Sequence, residues 1–411
     1  MISIPPLLQE VAFRRFFFGQ SISLIGDQIT MLALPLVGVL VLDATAAQMG
    51  FLATAELVPN LLFSLHAGAW VDRHGRRRQT MIVADLVRGA LLATVPIAYL
   101  LDVLTMAQLY AVAFAVGTMS VFFTVAYGSL FVSLVPRERY IEGSSILSGT
   151  RAFSFVAGPS AAGLLVQIAT APVTLLIDCF SYVASALFLS RISSEEPATE
   201  KAERGHLMAG LRFVVGHPVV RSGLLSTATI NLFNFMFWAL FVLYATKTLG
   251  VSPGTLGVVL GAGAVGGLIG SLITSRISER IGVGRTLVLG SALFPTPLLL
   301  VPLAGGSDVV ILTMLFLAEF GSGMGVMILD ISAAAILASL TPDRLRSRFS
   351  GAFNMVNYGV RPVGAFAGGI LGSTIGIRPT LWIASAGAIL GVLWLLPSPI
   401  PRMRALPEPA E

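Results

Sequence analysis

Twelve apolar stretches, each about as long as a membrane-spanning helix, constrain the fold of this chain more than any other feature. A helix needs roughly 20 apolar residues to cross the hydrocarbon core of a bilayer. The stretches lie near 16–42, 48–71, 79–100, 105–135, 142–169, 172–191, 219–246, 254–276, 284–303, 308–338, 349–373 and 377–396. Short, nearly uncharged connections alternate with longer basic ones. We therefore predict an all-α membrane protein of twelve transmembrane helices.

The charged residues are few and unevenly distributed. They make up 11% of the 411 residues, whereas a soluble domain carries about 25%. If the amino terminus is cytoplasmic, 21 of the 26 Lys and Arg residues fall on the cytoplasmic side and two on the outer side. Cytoplasmic loops of membrane proteins carry such an excess. We expect a monomer in the cell inner membrane, with both termini cytoplasmic, in contact with lipid and not with nucleic acid.

One long polar connection and an internal repeat divide the chain in two. We interpret 192–218 as a cytoplasmic linker that ends in a short interfacial helix. It separates a six-helix bundle at 1–191 from a second bundle and short tail at 219–411. The sequence DRHG at 72–75 recurs 207 residues later as ERIG at 279–282. With nearly the same offset, Gly158 and Gly163 correspond to Gly364 and Gly369. Two related bundles are typical of transporters whose site lies between the halves.

Several motifs identify a family. The segment 68–77, GAWVDRHGRR, resembles the loop between helices 2 and 3 of the major facilitator superfamily. The opening segment 19–35 is similar to the bacterial branch of enterobactin exporters and macrolide efflux proteins. The resemblance implies two pseudo-symmetric six-helix bundles that rock about a central cavity.

The resemblance also assigns roles to two motifs. In the first, Gly68 would allow helix 2 to approach helix 11, and Asp72 would lie near the amino terminus of helix 11. Its conformational-switch residues are Gly68, Asp72, Arg73, Gly75, Arg76 and Arg77. In helix 5, Gly158, Pro159 and Gly163 partly match an antiporter motif, with Ala162 in place of one glycine. Ordinary close packing of small residues is an alternative reading of this second motif.

Ionisable residues inside the apolar stretches are candidates for proton coupling, because such groups face a cavity or a partner. The candidates are Asp27, Glu319, Arg151, Arg361 and Glu56. We predict that Asp27 or Glu319 binds and releases a proton in each cycle. The alternative is that each acid forms a permanent ion pair with Arg151 or Arg361. Asp85 and Arg88 are three residues apart and can pair locally.

The family implies that helices 1, 4, 7 and 10 line the cavity. Their polar and aromatic candidates for substrate contact are Tyr127, Asn231, Asn234 and Trp238. The expected partners are a small-molecule substrate and protons.

Other functional classes find little support. A GxGxxG sequence at 261–266 lies inside an apolar stretch with no preceding strand, so it does not indicate a dinucleotide site. The four histidines lack metal-site spacing, and Cys179 is the single cysteine. We therefore predict neither an enzyme nor a cofactor or metal site. The favoured function is proton-coupled efflux of amphipathic drugs or siderophores by alternating access. The alternatives are a flippase for lysolipids or lipids, or a membrane sensor that does not transport.

Overall fold

A computed structural model describes residues 5–192, 215–341 and 346–406. Within these residues twelve main helices occur, and we label them α1 to α12 in chain order. They are Val11–Leu40, Ala46–His74, Arg77–Leu100, Met106–Leu134, Tyr140–Ala169, Ala171–Ser190, Pro218–Leu243, Pro253–Ile281, Val283–Leu293, Asp308–Leu340, Arg346–Thr374 and Ile377–Ile389. The predicted all-α fold with twelve helices is confirmed.

Ten of the spans in the described part of the chain are long and apolar enough to cross a membrane. The exceptions, α2 and α11, are as long but carry more polar side chains. The predicted linker at 192–218 lies almost entirely outside the described residues.

Local sequence signals explain where several helices begin and break. Thr45 and Gln48 form a reciprocal capping box at the start of α2, in which each side chain accepts a hydrogen bond from the other residue's backbone amide. The stretch predicted as one helix at 284–303 is interrupted after Leu293 and continues as a 3₁₀ turn at Thr296–Leu299. Pro295 and Pro297 lie at this break and cannot donate the backbone hydrogen bonds of a continuous helix.

The helices form two compact units. Unit 1 contains Met1–Ala44, Ala55–Glu203 and Ser252–Val258, and unit 2 contains Thr45–Thr54, Arg204–Val251 and Val259–Glu411. In unit 1, α1 packs on α5 and α6, and α3 packs on α4. In unit 2, α7 packs on α11 and α12, and α9 packs on α10. The two units therefore repeat one packing scheme six helices apart.

The matched glycines of the sequence repeat occupy equivalent places. Gly75 and Gly282 both have positive φ, at 64° and 91°, which side chains with a Cβ adopt only with strain. A Cβ on Gly158 would overlap Gln28 of α1, and one on Gly364 would overlap Leu232 of α7. Glycine is thus required at these positions by the backbone turn or by close helix packing.

Candidate functional site

The most extensive polar cluster of unit 1 surrounds the buried guanidinium of Arg88 on α3. Its side chain is 2% exposed, and it donates hydrogen bonds to Asp85 on the same helix and to Asp27 on α1, the latter at 3.5 Å. The rings of Phe123 and Tyr182 lie 4.4 and 4.2 Å from the guanidinium carbon. The cation is therefore held by two carboxylates and two aromatic faces.

Asp27 and Asp178 complete this cluster from α1 and α6. The Tyr182 hydroxyl donates to Asp27 Oδ1 at 2.6 Å. The fully buried Asp178 accepts hydrogen bonds from the hydroxyls of Thr30 and Ser181. Gly26 makes room for Asp178, because a Cβ there would overlap the carboxyl group. Among the described residues, the cluster thus contains three carboxyl groups and one arginine, which contacts Asp27 and Asp85 directly.

The partner of Asp27 differs from the prediction. The predicted Asp85–Arg88 pair forms, but Asp27 is paired with Arg88 and not with Arg151 or Arg361. The cause is the packing of α3 and α1 on the same helix, α6. Sequence reasoning missed Asp178 and Tyr182 as members of the site. Their spacing of four residues puts both on one face of α6, which was the available signal.

Glu319 on α10 has a different environment in unit 2. The side chain is 5% exposed, and Oε1 has no hydrogen-bond partner among the described residues. No arginine or lysine of the described chain lies within 4.0 Å of it. Glu319 packs against Gly263 of α8, where a Cβ would lie 3.3 Å from Oε2. Of the predicted proton-coupling acids, this is the one that is both buried and unpaired.

Glu56 and Arg151 are exposed in the structure. Arg151 interacts with the hydroxyl of Tyr127, whose ring stacks on Phe16 at 5.3 Å.

The predicted substrate contacts on α7 lie in several environments. Asn231 donates a hydrogen bond to Asn357 of α11 at 2.7 Å. Asn234 is buried, and its Oδ1 has no partner in the described part of the chain. Trp238 packs edge-on against Phe237 and Phe241. Of these three side chains, Asn231 alone makes a polar contact with another helix in the described part of the chain.

The structure describes part of the predicted switch loop. Gly75 forms the tight turn after α2, while Arg73 and Arg76 are exposed and Arg77 is partly buried. The side chains of Asp72 and of residues 346–352, at the start of α11, lie outside the described part of the structure.

The structure describes the surroundings of two glycines of α2, Gly50 and Gly68. A Cβ on Gly68 would meet no described atom within 4 Å, and the side chains of residues 346–352 lie outside the described part of the structure, so the expected approach of Gly68 to helix 11 stays a prediction. It is Gly50, in the first turns of α2, where a Cβ would overlap Gly369 of α11. The first turns of α2 therefore pack against α11.

The α5 motif makes two close helix contacts in unit 1. Gly158 packs on α1, and Gly163 packs on Gly257 in the first turns of α8. The Ser160 hydroxyl donates to the Gly257 carbonyl at 3.3 Å. Pro159 lies inside the helix next to these contacts.

The described residues contain no group of three or more His, Cys, Asp or Glu that could hold a metal ion.

Comparisons with known proteins agree with this architecture. A family model described as "Transmembrane secretion effector" matches residues 2–410. The chain is 26% identical to the multidrug efflux pump Tap of Mycolicibacterium fortuitum over 406 residues, covering 93% of each chain. It is 27% identical to the Tap pump of Mycobacterium tuberculosis H37Rv over 386 residues, covering 88% of this chain and 87% of the pump.

Two solved transporters share the fold. A bacterial homologue of the iron transporter ferroportin, solved in an inward-facing state, superposes with a TM-score of 0.78 at 18% identity and covers 96% of this chain and 99% of its own. The nucleoside transporter NupG gives 0.73 at 10% identity and covers 94% of this chain and 98% of its own.

Proposed function

Because the chain belongs to the transmembrane secretion effector family of the major facilitator superfamily, and so is a multi-pass membrane transporter and not an enzyme, we propose that it exports amphipathic small molecules in exchange for protons. Export is supported by its similarity over most of its length to multidrug efflux pumps. The excess of Lys and Arg in alternate loops supports cytoplasmic termini.

One observation in particular supports proton coupling: Glu319 is buried and has no arginine or lysine within 4.0 Å among the described residues. A buried carboxylate without a cation is costly in a medium of low polarity. The packing around Glu319 is therefore compatible with the protonated acid. A conformational change that brings water or a cation to Glu319 would release this proton. We propose Glu319 as the proton carrier, in preference to Asp27.

Asp27 has the environment of a paired acid. Arg88 and Tyr182 both donate hydrogen bonds to it. An arginine partner favours the ionised carboxylate throughout the cycle as long as the contact persists. The permanent ion pair considered from the sequence is thus a good description of Asp27, with Arg88 as the partner. We assign Asp27 a supporting role in unit 1.

Transport by proteoliposomes tests the proposal. Ethidium and carboxyfluorescein serve as cationic and anionic probes, and proton movement is followed with a trapped pH indicator. We expect wild-type protein to couple probe movement to proton movement. Glu319→Gln should retain downhill probe movement and lose its acceleration by a pH gradient. Asp27→Asn is the matched control, because it neutralises a paired acid.

A pH gradient of one unit is a tenfold ratio of proton concentrations, and exchange of one proton for one probe molecule can sustain about the same ratio of probe concentrations. Loss of coupling should therefore abolish a roughly tenfold accumulation at one unit. Full pH-driven transport by Glu319→Gln would refute the assignment of the carrier. Movement of neither probe and no proton movement in the wild type would argue against drug export by this protein.

A further inference from the structure

Arg361 on α11 is an embedded arginine whose N–H groups have no hydrogen-bond partner among the described residues. Its guanidinium carbon lies 4.2 Å from the ring of Tyr358 and 5.0 Å from that of Phe235 on α7. The face of an aromatic ring is not a conventional hydrogen-bond acceptor, so these contacts leave the N–H groups of the guanidinium available. Nε is buried without a hydrogen-bond partner, and no described carboxylate lies within 4.0 Å.

The contrast with Arg88 shows what Arg361 lacks. Both guanidinium carbons lie within 5.0 Å of the centroids of two aromatic rings. Arg88 also has the carboxylates of Asp85 and Asp27 at its edge. Asp330 on α10 interacts with Arg361 only at longer range. An arginine in a membrane-spanning helix needs an anionic or hydrogen-bonding partner, and the described residues do not supply one in direct contact.

Helical spacing puts two amide-bearing residues on the same helix faces as Arg361 and its aromatic contact Phe235. Asn357 precedes Arg361 by one helical turn, so the two residues lie on one face of α11. The same face meets α7, because Asn357 contacts Asn231 and Arg361 contacts Phe235. Asn231 and Phe235 are also one turn apart. This seam between α7 and α11 therefore combines a cation, two amides and two aromatic rings.

We propose that the seam of Asn231, Phe235, Asn357, Tyr358 and Arg361 binds the acidic group of the substrate, and that the transported molecules include amphipathic organic acids. A carboxylate, sulfonate or phosphate in the guanidinium plane accepts two N–H bonds at once. The rings hold the guanidinium in one orientation, so little side-chain entropy is lost when the anion binds. This inference rests on the proposed export function and specifies its substrate class.

Matched acids and amides test the proposal without any transport step. Binding of benzoate, benzamide, 2-naphthoate and 2-naphthamide is measured by thermal shift and tryptophan fluorescence in neutral maltoside micelles. We expect the wild type to prefer at least one acid over its amide. Arg361→Gln should weaken acid binding roughly ten- to a hundredfold and leave amide binding nearly unchanged, because only the charge-assisted bonds are lost. Arg361→Lys should give an intermediate loss, since it keeps the charge without the planar fork.

Asp330→Asn provides a test that structural damage cannot imitate. It removes the acid that acts on Arg361 at long range and should therefore strengthen acid binding. The proposal is overturned if no acid is preferred over its amide, or if Arg361→Gln weakens acids and amides equally. It is also overturned if added phosphatidylglycerol abolishes the preference, because a lipid headgroup would then be the anion at Arg361. Since no gradient is present, these results are independent of proton coupling through Glu319.

Discussion

Replacing Arg88 with glutamine should destabilise unit 1 far more than breaking an exposed ion pair. The side chain of Arg88 is 2% exposed and that of Asp85 is fully buried. Removing one partner of such a pair leaves an uncompensated buried charge and costs about 3–5 kcal/mol. Loss of the aromatic contacts with Phe123 and Tyr182 adds about 1–2 kcal/mol. Together, the lost ion pair and the lost aromatic contacts should lower the free energy of unfolding by about 4–7 kcal/mol.

This loss can be measured as a shift in melting temperature. For a unit of about 200 residues, 1 kcal/mol corresponds to roughly 2–4 °C. Arg88→Gln should lower the melting temperature of the purified protein in detergent by at least about 8 °C. Unfolding is monitored by tryptophan fluorescence or by size-exclusion chromatography after heating.

Two further variants separate charge imbalance from lost packing. Arg88→Gln combined with Asp85→Asn replaces the ion pair with two neutral amides and should recover at least half of the loss. Asp27, 35% exposed, can be hydrated in this double variant. Arg139→Gln is the matched control, because Arg139 and Glu10 pair at 2.9 Å with side chains 41% and 44% exposed. Exposed pairs contribute about 0–1 kcal/mol.

The outcome that would refute this reasoning is specific. If Arg88→Gln and Arg139→Gln lower the melting temperature equally, burial does not determine the contribution of these pairs. If the double variant is no more stable than Arg88→Gln, the isolated charge of Asp85 is not the source of the loss.

The glycines give three further predictions, two of them with a control in the same helix. Gly158→Ala should cost about 1–3 kcal/mol through overlap with α1, whereas Gly149→Ala in the same helix has free space and should be neutral or slightly stabilising; thermal melting compares them. Gly50→Val should impair both stability and dye transport, because the added side chain would push α2 away from α11. Gly68→Ala should leave the melting temperature unchanged. Gly75→Ala should cost about 1–2 kcal/mol because of its positive φ, and wild-type melting would contradict this.

The number and extent of the helices could be predicted because the bilayer fixes the length of each apolar stretch. The stretch predicted at 308–338 is observed as Asp308–Leu340. The prediction was less accurate at 284–303, where Pro295 and Pro297 interrupt the helix. Apolar content alone cannot distinguish a continuous helix from one that continues through a 3₁₀ turn, although the two prolines were visible.

Contacts between charged residues could be predicted only where both residues lie on the same helix. Asp85 and Arg88 are three residues apart, so their contact follows from helical geometry. The contact of Asp27 with Arg88 depends on the rotation of α1 and α3 about their axes. An amphipathic pattern fixes such a rotation in a soluble helix, but α1 has no amphipathic periodicity. The sequence therefore indicated which charges are embedded and not which of them meet.

The state of pairing separates the embedded charges into two kinds with different consequences for transport. Arg88 and Asp27 receive their partners from the protein itself, so a stable cluster results without any ligand. Glu319 and Arg361 have no such partner in direct contact within the described chain. An acid in that position is most easily stabilised by a proton, and a guanidinium by an anion. Partners of this kind can be exchanged in each cycle, whereas a fixed ion pair must be broken first. Unpaired embedded charges are therefore better candidates for coupling than paired ones, which is why we place proton and substrate binding at Glu319 and Arg361.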